Sequence, residues 1–230
     1  MNIIKSIKNL KIYEIIIYLF SLTSIIISFL IFKNENYLTL IASLIGVTAL
    51  IFVAKGDVLG QILTIVFSLF YGYISFEYKY YGELITYVGM TAVVALISVI
   101  TWIKHPYDDK EVEVASLNKN KIILLIVLSI IVTTIFYFIL KYLNTKNLII
   151  STISVLTSFV AVTLTVFRSK YYAIFYSLND CVLIILWILA CKDDYSYVAM
   201  VICFIMFLVN DIYGFINWSI MKNRQNKNLE

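Results

Sequence analysis

Eight stretches of 18 to 24 residues carry almost no charge, and charged residues gather in the gaps between them. They run Ile12–Phe32, Tyr37–Ala54, Val58–Phe76, Leu84–Ile103, Ile122–Leu140, Leu148–Phe167, Tyr172–Cys191 and Tyr195–Trp218. About 20 mostly apolar residues in a helix cross the hydrocarbon of a bilayer. A water-soluble domain could not cover this much apolar surface. The chain is 62% hydrophobic and 14% charged, against about 45–50% apolar and about 25% charged in soluble domains. The runs lack the two-residue alternation of a membrane β-barrel. One proline and seven glycines argue against a loop-rich all-β fold. The predicted fold class is an all-α polytopic membrane protein of about eight transmembrane helices, forming one membrane transport domain over residues 1–230.

Six of the seven connections are tight, so consecutive helices lie antiparallel and adjacent. The exception, Lys104–Lys121, is 18 residues long, highly charged and holds the only proline, Pro106. Thirteen Lys and Arg fall on the side that carries both termini and the long loop, and five on the other. The positive-inside rule places that first side, with the basic tail 219–230, in the cytoplasm. The charge bias is therefore a topology signal and no nucleic-acid footprint. The first run is too long for a cleavable signal peptide and is read as a retained helix; Lys5, Lys8, Lys11 and Glu14 leave open an interfacial helix.

The chain resembles itself. At an offset of 113, Thr39 meets Thr152, Val47 meets Val160 and Lys55 meets Arg168; at 116, Met90 meets Met206 and Trp102 meets Trp218. Residues 37–103 and 148–218 then form two three-helix repeats, joined by a single helix, 122–140, and preceded by an extra helix, 12–32. Three spans plus one linking span insert both repeats in the same orientation. In transporters built from repeats, the substrate site lies near the bilayer midplane at the repeat interface.

Polar residues recur at helical spacing inside several spans. Helix three carries Gln61, Thr64, Ser68, Tyr71 and Ser75; helix four Glu83, Tyr87, Thr91, Ser98 and Thr101; helix six Ser151, Ser154, Ser158 and Thr165; helix eight Cys203, Met206, Asn210, Gly214 and Asn217. Small and hydroxylated residues also serve close helix packing. Amides such as Gln61, Asn179 and Asn210 need a partner or water. Asn179-Asp180 and Asn210-Asp211 lie well inside their spans, where an Asp costs about 2.5–3.5 kcal/mol to insert. They point to a ligand path, or to a polar clamp between helices. Asp180 shares a helix face with Trp187, and Asp211 with Trp218. A carboxylate beside an aromatic face suits a cationic aromatic ligand. Trp102, Trp218 and Trp187 also lie near helix ends, where belt tryptophans sit.

The remaining chemistry-bearing residues are sparse. Cys181, Cys191 and Cys203 lack metal-ligand spacing, and an odd count gives no disulfide framework. His105 is alone in a polar loop. There is no Ser-His-Asp set or phosphate-binding glycine loop, so neither catalysis, a metal nor a cofactor is expected.

Phe52-Val-Ala-Lys-Gly56, Tyr80-Tyr-Gly-Glu83, Thr86-Tyr-Val-Gly-Met-Thr91 and Asn210-Asp-Ile-Tyr-Gly-Phe-Ile-Asn-Trp218 resemble the PnuC family of bacterial nicotinamide riboside transporters over roughly residues 37–222. Asn179-Asp180, before an apolar run to Trp187, also looks like that family. The resemblance implies a three-plus-one-plus-three fold similar to a SWEET sugar transporter. It also implies facilitated diffusion of the riboside across the bacterial plasma membrane, feeding NAD biosynthesis. The chain departs from the family's pattern at Thr163 or Thr165, around Tyr171 to Phe175, and near Ala95. Substrate-site residues expected on these grounds are Asn179, Asp180, Trp187, Asn210, Asp211, Gly214, Trp218, Gln61, Tyr71 and Trp102. The partners are then a small ribosylated vitamin precursor and the lipid bilayer, with a homo-oligomer in view. Thiamine, riboflavin or a deoxynucleoside are alternative cargoes on the same fold, and the intramembrane carboxylates raise proton coupling as an alternative mechanism.

Overall fold

The computed structural model describes residues 3–32, 37–77, 84–108 and 111–228. Apart from one isolated bridge, the regular structure of those residues is helical. A short helix α1 (Ile3–Lys8), which the hydrophobic pattern did not announce, precedes the extra helix α2 (Ile12–Ile31). Then follow α3 (Tyr37–Ala54), α4 (Val58–Glu77), α5 (Ile85–Lys104), α6 (Lys119–Tyr142), α7 (Leu148–Val166), α8 (Tyr172–Ala190) and α9 (Val198–Lys227). A 3₁₀ turn, Tyr195–Tyr197, leads into α9. Among the described residues, eight helices are long and apolar enough to cross a membrane.

Two elements differ from the sequence expectation. The first half of α5, Ile85–Ala92, is π-helical and becomes α-helical at Val93. Thr91 Oγ1 donates to the Thr86 carbonyl five residues back (3.2 Å), in step with i→i+5 bonding. π segments are rare and often mark functional sites. Helix α9 continues past Trp218 to Lys227. Its polar last turns are covered by the long loop, which spans residues 105–118 because α6 starts at Lys119. Glu83 and the Tyr80–Glu83 motif lie outside the described residues.

Within the first repeat α3 packs on α4 and α4 on α5; within the second, α7 packs on α8 and α8 on α9. Across the interface α3 meets α9, and the equivalent pair, α7 and α5, also meet. Each contact in one half thus has its counterpart in the other, the pattern expected of two repeats in parallel orientation. Helix α6 touches mainly α7 and exposes most of its apolar surface, as a linking helix would.

The repeat register needs one correction. At the ends of α3 and α7 the matching offset is 112, where the sequence alignment used 113. Gly56 N–H bonds to the Val53 carbonyl (2.9 Å) and Arg168 N–H to that of Thr165 (3.0 Å). Asp57 N–H then bonds to the Phe52 carbonyl and Ser169 N–H to that of Leu164, both at 3.0 Å. Both helices end on a left-handed residue, Gly56 at φ 70° and Arg168 at φ 55°. Glycine takes this conformation without steric cost. Lys55 therefore has no structural counterpart in Arg168. Apolar residues are interchangeable enough that a one-residue slip leaves the hydrophobic match intact, whereas the cap hydrogen bonds fix the register.

Helix α2 lies against α3 and α9, at one inter-repeat interface only. Its inner face is a polar stripe. Glu14, fully buried, accepts from Lys11 N–H (2.6 Å), from Lys55 Nζ (2.9 and 3.1 Å) and from Tyr213 Oη (2.5 Å). Tyr18 and Thr48 share a hydroxyl bond (3.0 Å), and Asn210 Nδ2 donates to Ser21 Oγ (2.9 Å). A buried carboxylate is tolerable only when its lone pairs are filled this completely.

Candidate functional site

The sequence places amides and carboxylates at helical spacing on four spans. Folding brings some of them to one cavity, of about 70 Å³, between the two repeats. Gly46, Leu50 and Val53 of α3 and Gln61, Thr64 and Phe67 of α4 line it from the first repeat, with Tyr87 and Thr91 from the π segment of α5. Ser158 of α7, Tyr176, Asn179 and Asp180 of α8, and Phe207 and Asp211 of α9 close it from the second. Tyr87 and Thr91, one turn apart on the helix, look into the same space.

The polar side of the cavity is built around two facing carboxyl groups. Asp180 and Asp211, 4% and 3% exposed, both line it. Asp180 Oδ2 is buried and has no hydrogen-bond partner among the described residues. Ionised carboxylates accept and do not donate, so two carboxyl groups buried in one small cavity call for a proton or a bound cation. Asn179 is anchored from α7: its Oδ1 lies 3.1 Å from Ser154 Oγ and 3.0 Å from Thr157 Oγ1. The hydroxyl stripe of α7 therefore orients the amide of α8.

The apolar side is aromatic. Phe67 packs edge-on against Tyr87 (centroids 5.8 Å) and Phe207 (6.0 Å), and Tyr87 lies 4.3 Å from Tyr71. Phe67, Tyr87, Tyr176 and Phe207 were not singled out by sequence reasoning as site residues. Tyr87 did fall on the polar stripe of the fourth span. Eighteen tyrosines and fifteen phenylalanines gave no means of ranking them.

Of the ten expected site residues, four line the cavity: Gln61, Asn179, Asp180 and Asp211. Tyr71 stands behind the lining, its ring tilted against Tyr87. Trp187 lies two turns beyond Asp180 and packs against Tyr197 at 5.4 Å. Asn210 points away, toward α2; its Nδ2 binds Ser21 and its own helix at the Met206 carbonyl (2.7 Å). Gly214 makes room for α8, since a Cβ there would come within 3.0 Å of the Tyr172 hydroxyl.

Trp102 and Trp218 are 1% and 0% exposed, so the belt expectation for this pair is corrected: neither faces lipid. Their rings lie 5.5 Å apart, with Tyr172 4.8 Å from Trp218. Trp102 Nε1 donates to the Thr165 carbonyl (3.0 Å), and Trp218 Nε1 to the Val53 carbonyl (2.9 Å). These acceptors are the repeat-equivalent pair 112 residues apart. The last helix of each repeat thus clamps the first helix of the other, and the indoles close the cavity toward the face that carries the long loop. Each donor is satisfied, as buried indoles require, and that satisfaction across the interface is why the rings turn inward.

The arrangement offers an aromatic wall, amide and hydroxyl groups, and a carboxyl pair, with no Lys or Arg among its described lining residues. Such a surface favours a flat, polar, cationic solute over an anion.

The comparisons agree with this architecture. The chain is 24% identical over 200 residues to the nicotinamide riboside transporter PnuC of Neisseria mucosa, covering 84% of this chain and 76% of that one. A crystal structure of the vitamin B3 transporter PnuC superimposes with a TM-score of 0.80 at 22% identity, covering 94% of each chain. Residues 36–220 match the family described as nicotinamide mononucleotide transporter. With both repeats and their linking helix inside the matched span, the chain belongs to that family of membrane transporters.

Proposed function

We propose that this protein carries nicotinamide riboside across the bacterial plasma membrane by facilitated diffusion, with both termini in the cytoplasm. The observation that carries the reading is the cavity between the repeats, with Asp180 and Asp211 on one side and Tyr87, Phe67 and Tyr176 on the other. A pyridinium ring gains from both walls. Gln61, Asn179, Thr91 and Ser158 supply hydrogen bonds for the carboxamide and the ribose hydroxyls. The relatives' names support this cargo, and so does the charge of the site. A mononucleotide would set its phosphate against the carboxyl pair with no cation in the described lining, so the riboside is favoured over its phosphorylated form. Cavities for small molecules usually measure about 300–1,000 Å³. The 70 Å³ present therefore widens when cargo enters, by motion of one repeat against the other.

Uptake of labelled nicotinamide riboside into liposomes containing the protein tests this. Accumulation to equilibrium, slowed by Asn179→Ala or Gln61→Ala when riboside is below saturation and not competed by the mononucleotide, is expected. No uptake, or competition by thiamine, riboflavin or a deoxynucleoside instead, would sink the assignment. The two buried carboxyl groups in one cavity, Asp180 and Asp211, favour one second reading, proton coupling. Uptake driven above equilibrium by a pH gradient and abolished by an uncoupler would establish it.

A further inference from the structure

The loop between α5 and α6 contains Glu111-Val-Glu-Val-Ala115, which alternates charged and apolar residues. Alternation sends successive side chains to opposite sides of an extended chain. Val112 and Val114, 2% and 7% exposed, turn inward and pack with Trp102, Trp218 and Met221. Glu113 turns outward and pairs with the largely covered Arg168 beyond α7 (3.0 Å), while Glu111, only 11% exposed, pairs with Arg224 of α9. Gln225 completes the attachment. Its Oε1 accepts from Val114 N–H (2.7 Å), and its Nε2 donates to the Val112 carbonyl (3.1 Å).

The two backbone anchors are more informative. Val112 N–H donates to the Gly56 carbonyl and Ala115 N–H to the Arg168 carbonyl, both at 3.0 Å. Gly56 and Arg168 are equivalent positions of the two repeats, 112 residues apart. The segment therefore straddles the repeat interface and is tied to the same point on each half. Three residues of fully extended chain reach about 10 Å, so the strap cannot lengthen to follow repeats that separate at this face.

We propose that residues 111–115 are a releasable strap that seals the path from the cavity to the loop face, under the tryptophan pair, and that opening there requires one of its two repeat anchors to let go. The outer attachments suit release. One member of each pair, Glu113 or Arg224, is 53% or 49% exposed and can pass its hydrogen bonds to water, while Arg168 and Glu111 stay largely covered. The inference rests on the transport reading for its purpose and not for its geometry.

The test uses the full chain with Trp187→Phe, leaving Trp102 and Trp218 as the only indoles. Acrylamide quenching of their fluorescence then reports access beneath the strap and needs no substrate. Gln225→Ala, and separately the double change Glu111→Gln with Glu113→Gln, should each raise the quenching constant severalfold while the helical circular-dichroism signal is kept. Riboside affinity should stay at the parent value, because the strap does not line the cavity, and the uptake rate should change. The double change keeps the shape and hydrogen-bonding capacity of both side chains and removes only their charge, so it decides the matter if Gln225→Ala does not fold. Quenching unchanged in the folded variants overturns the strap. Raised quenching with an unaltered uptake rate overturns its role in opening. If the parent chain moves no riboside, the substrate assignment fails and quenching alone decides the seal.

Discussion

Gly60 offers a sharp test of how the cavity floor is held. An alanine Cβ at this position would lie 2.4 Å from Val53 N and 2.8 Å from the Phe52 carbonyl carbon. Those atoms are backbone at the end of α3, so no side-chain rotation relieves the clash. The first turn of α4 must move off α3, and Val53 must shift the carbonyl that receives the Trp218 indole. Overpacking of this kind costs about 1–3 kcal/mol, and a weakened buried hydrogen bond adds about 0.5–1.5 kcal/mol. The replacement itself returns about 0.5–1 kcal/mol, because alanine is the better helix former. The net loss is roughly 1–3.5 kcal/mol, or about 2–14 °C in melting temperature at about 2–4 °C per kcal/mol for a chain of this size. Gly89 is the internal control. It lies in the π segment, and the nearest atom to an added Cβ there is Ile85 Cγ2 at 3.8 Å, an ordinary contact. Thermal unfolding in detergent, followed by tryptophan fluorescence, should place Gly60→Ala well below the parent and Gly89→Ala at or slightly above it. Equal melting temperatures for Gly60→Ala and the parent would refute the argument that helix approach at Gly60 sets the Val53 carbonyl.

Four further outcomes follow from the same geometry. Glu14→Ala should cost about 3–5 kcal/mol of stability, the penalty for orphaning one partner of a buried ion pair; adding Lys55→Met should recover part of it in the same melting assay. Asn179→Ala should weaken riboside binding by calorimetry about threefold to tenfold, the worth of a hydrogen bond of about 0.5–1.5 kcal/mol. Asn210→Ala should leave binding nearly unchanged and lower the melting temperature instead, because its amide serves α2. Tyr87→Leu should raise the riboside Kd by about 2-fold to 30-fold, from a cation–π contribution of about 0.5–2 kcal/mol, and change the affinity of an uncharged competitor much less.

The eight spans were legible because hydrophobic length is a local property, and the repeats because helix boundaries recur. What escaped was information carried by a side chain's direction. Asn210 and Asp211 are neighbours in sequence, and successive residues on a helix lie about 100° apart. One of them meets α2 and the other the cavity, and no spacing rule says which. The tryptophans sat at helix ends, as belt residues do, and only the repeat-equivalent carbonyls of Val53 and Thr165 explain why they turn inward. The π segment left no mark in the hydrophobic pattern, which survives one added residue per turn. The charged composition of the long loop drew attention from its alternating Glu-Val-Glu-Val run, a legible signal that an extended, docked segment was present.

The polar stripe of α2 has a consequence for how the molecule is made. Two of its contacts, to Thr48 and Lys55, are with helix α3, which follows it directly. The other two, Ser21 with Asn210 and Glu14 with Tyr213, are 189 and 199 residues distant in sequence. Synthesis runs from the N-terminus, so α2 must keep a carboxylate and a hydroxyl in waiting until α9 arrives. Docking of α9 then completes the Trp218 clamp on α3 and the α2 seam in one step. A nascent chain halted before Asn210 would hold Glu14 against Lys55 alone, giving membrane quality control a local means of recognising an unfinished transporter.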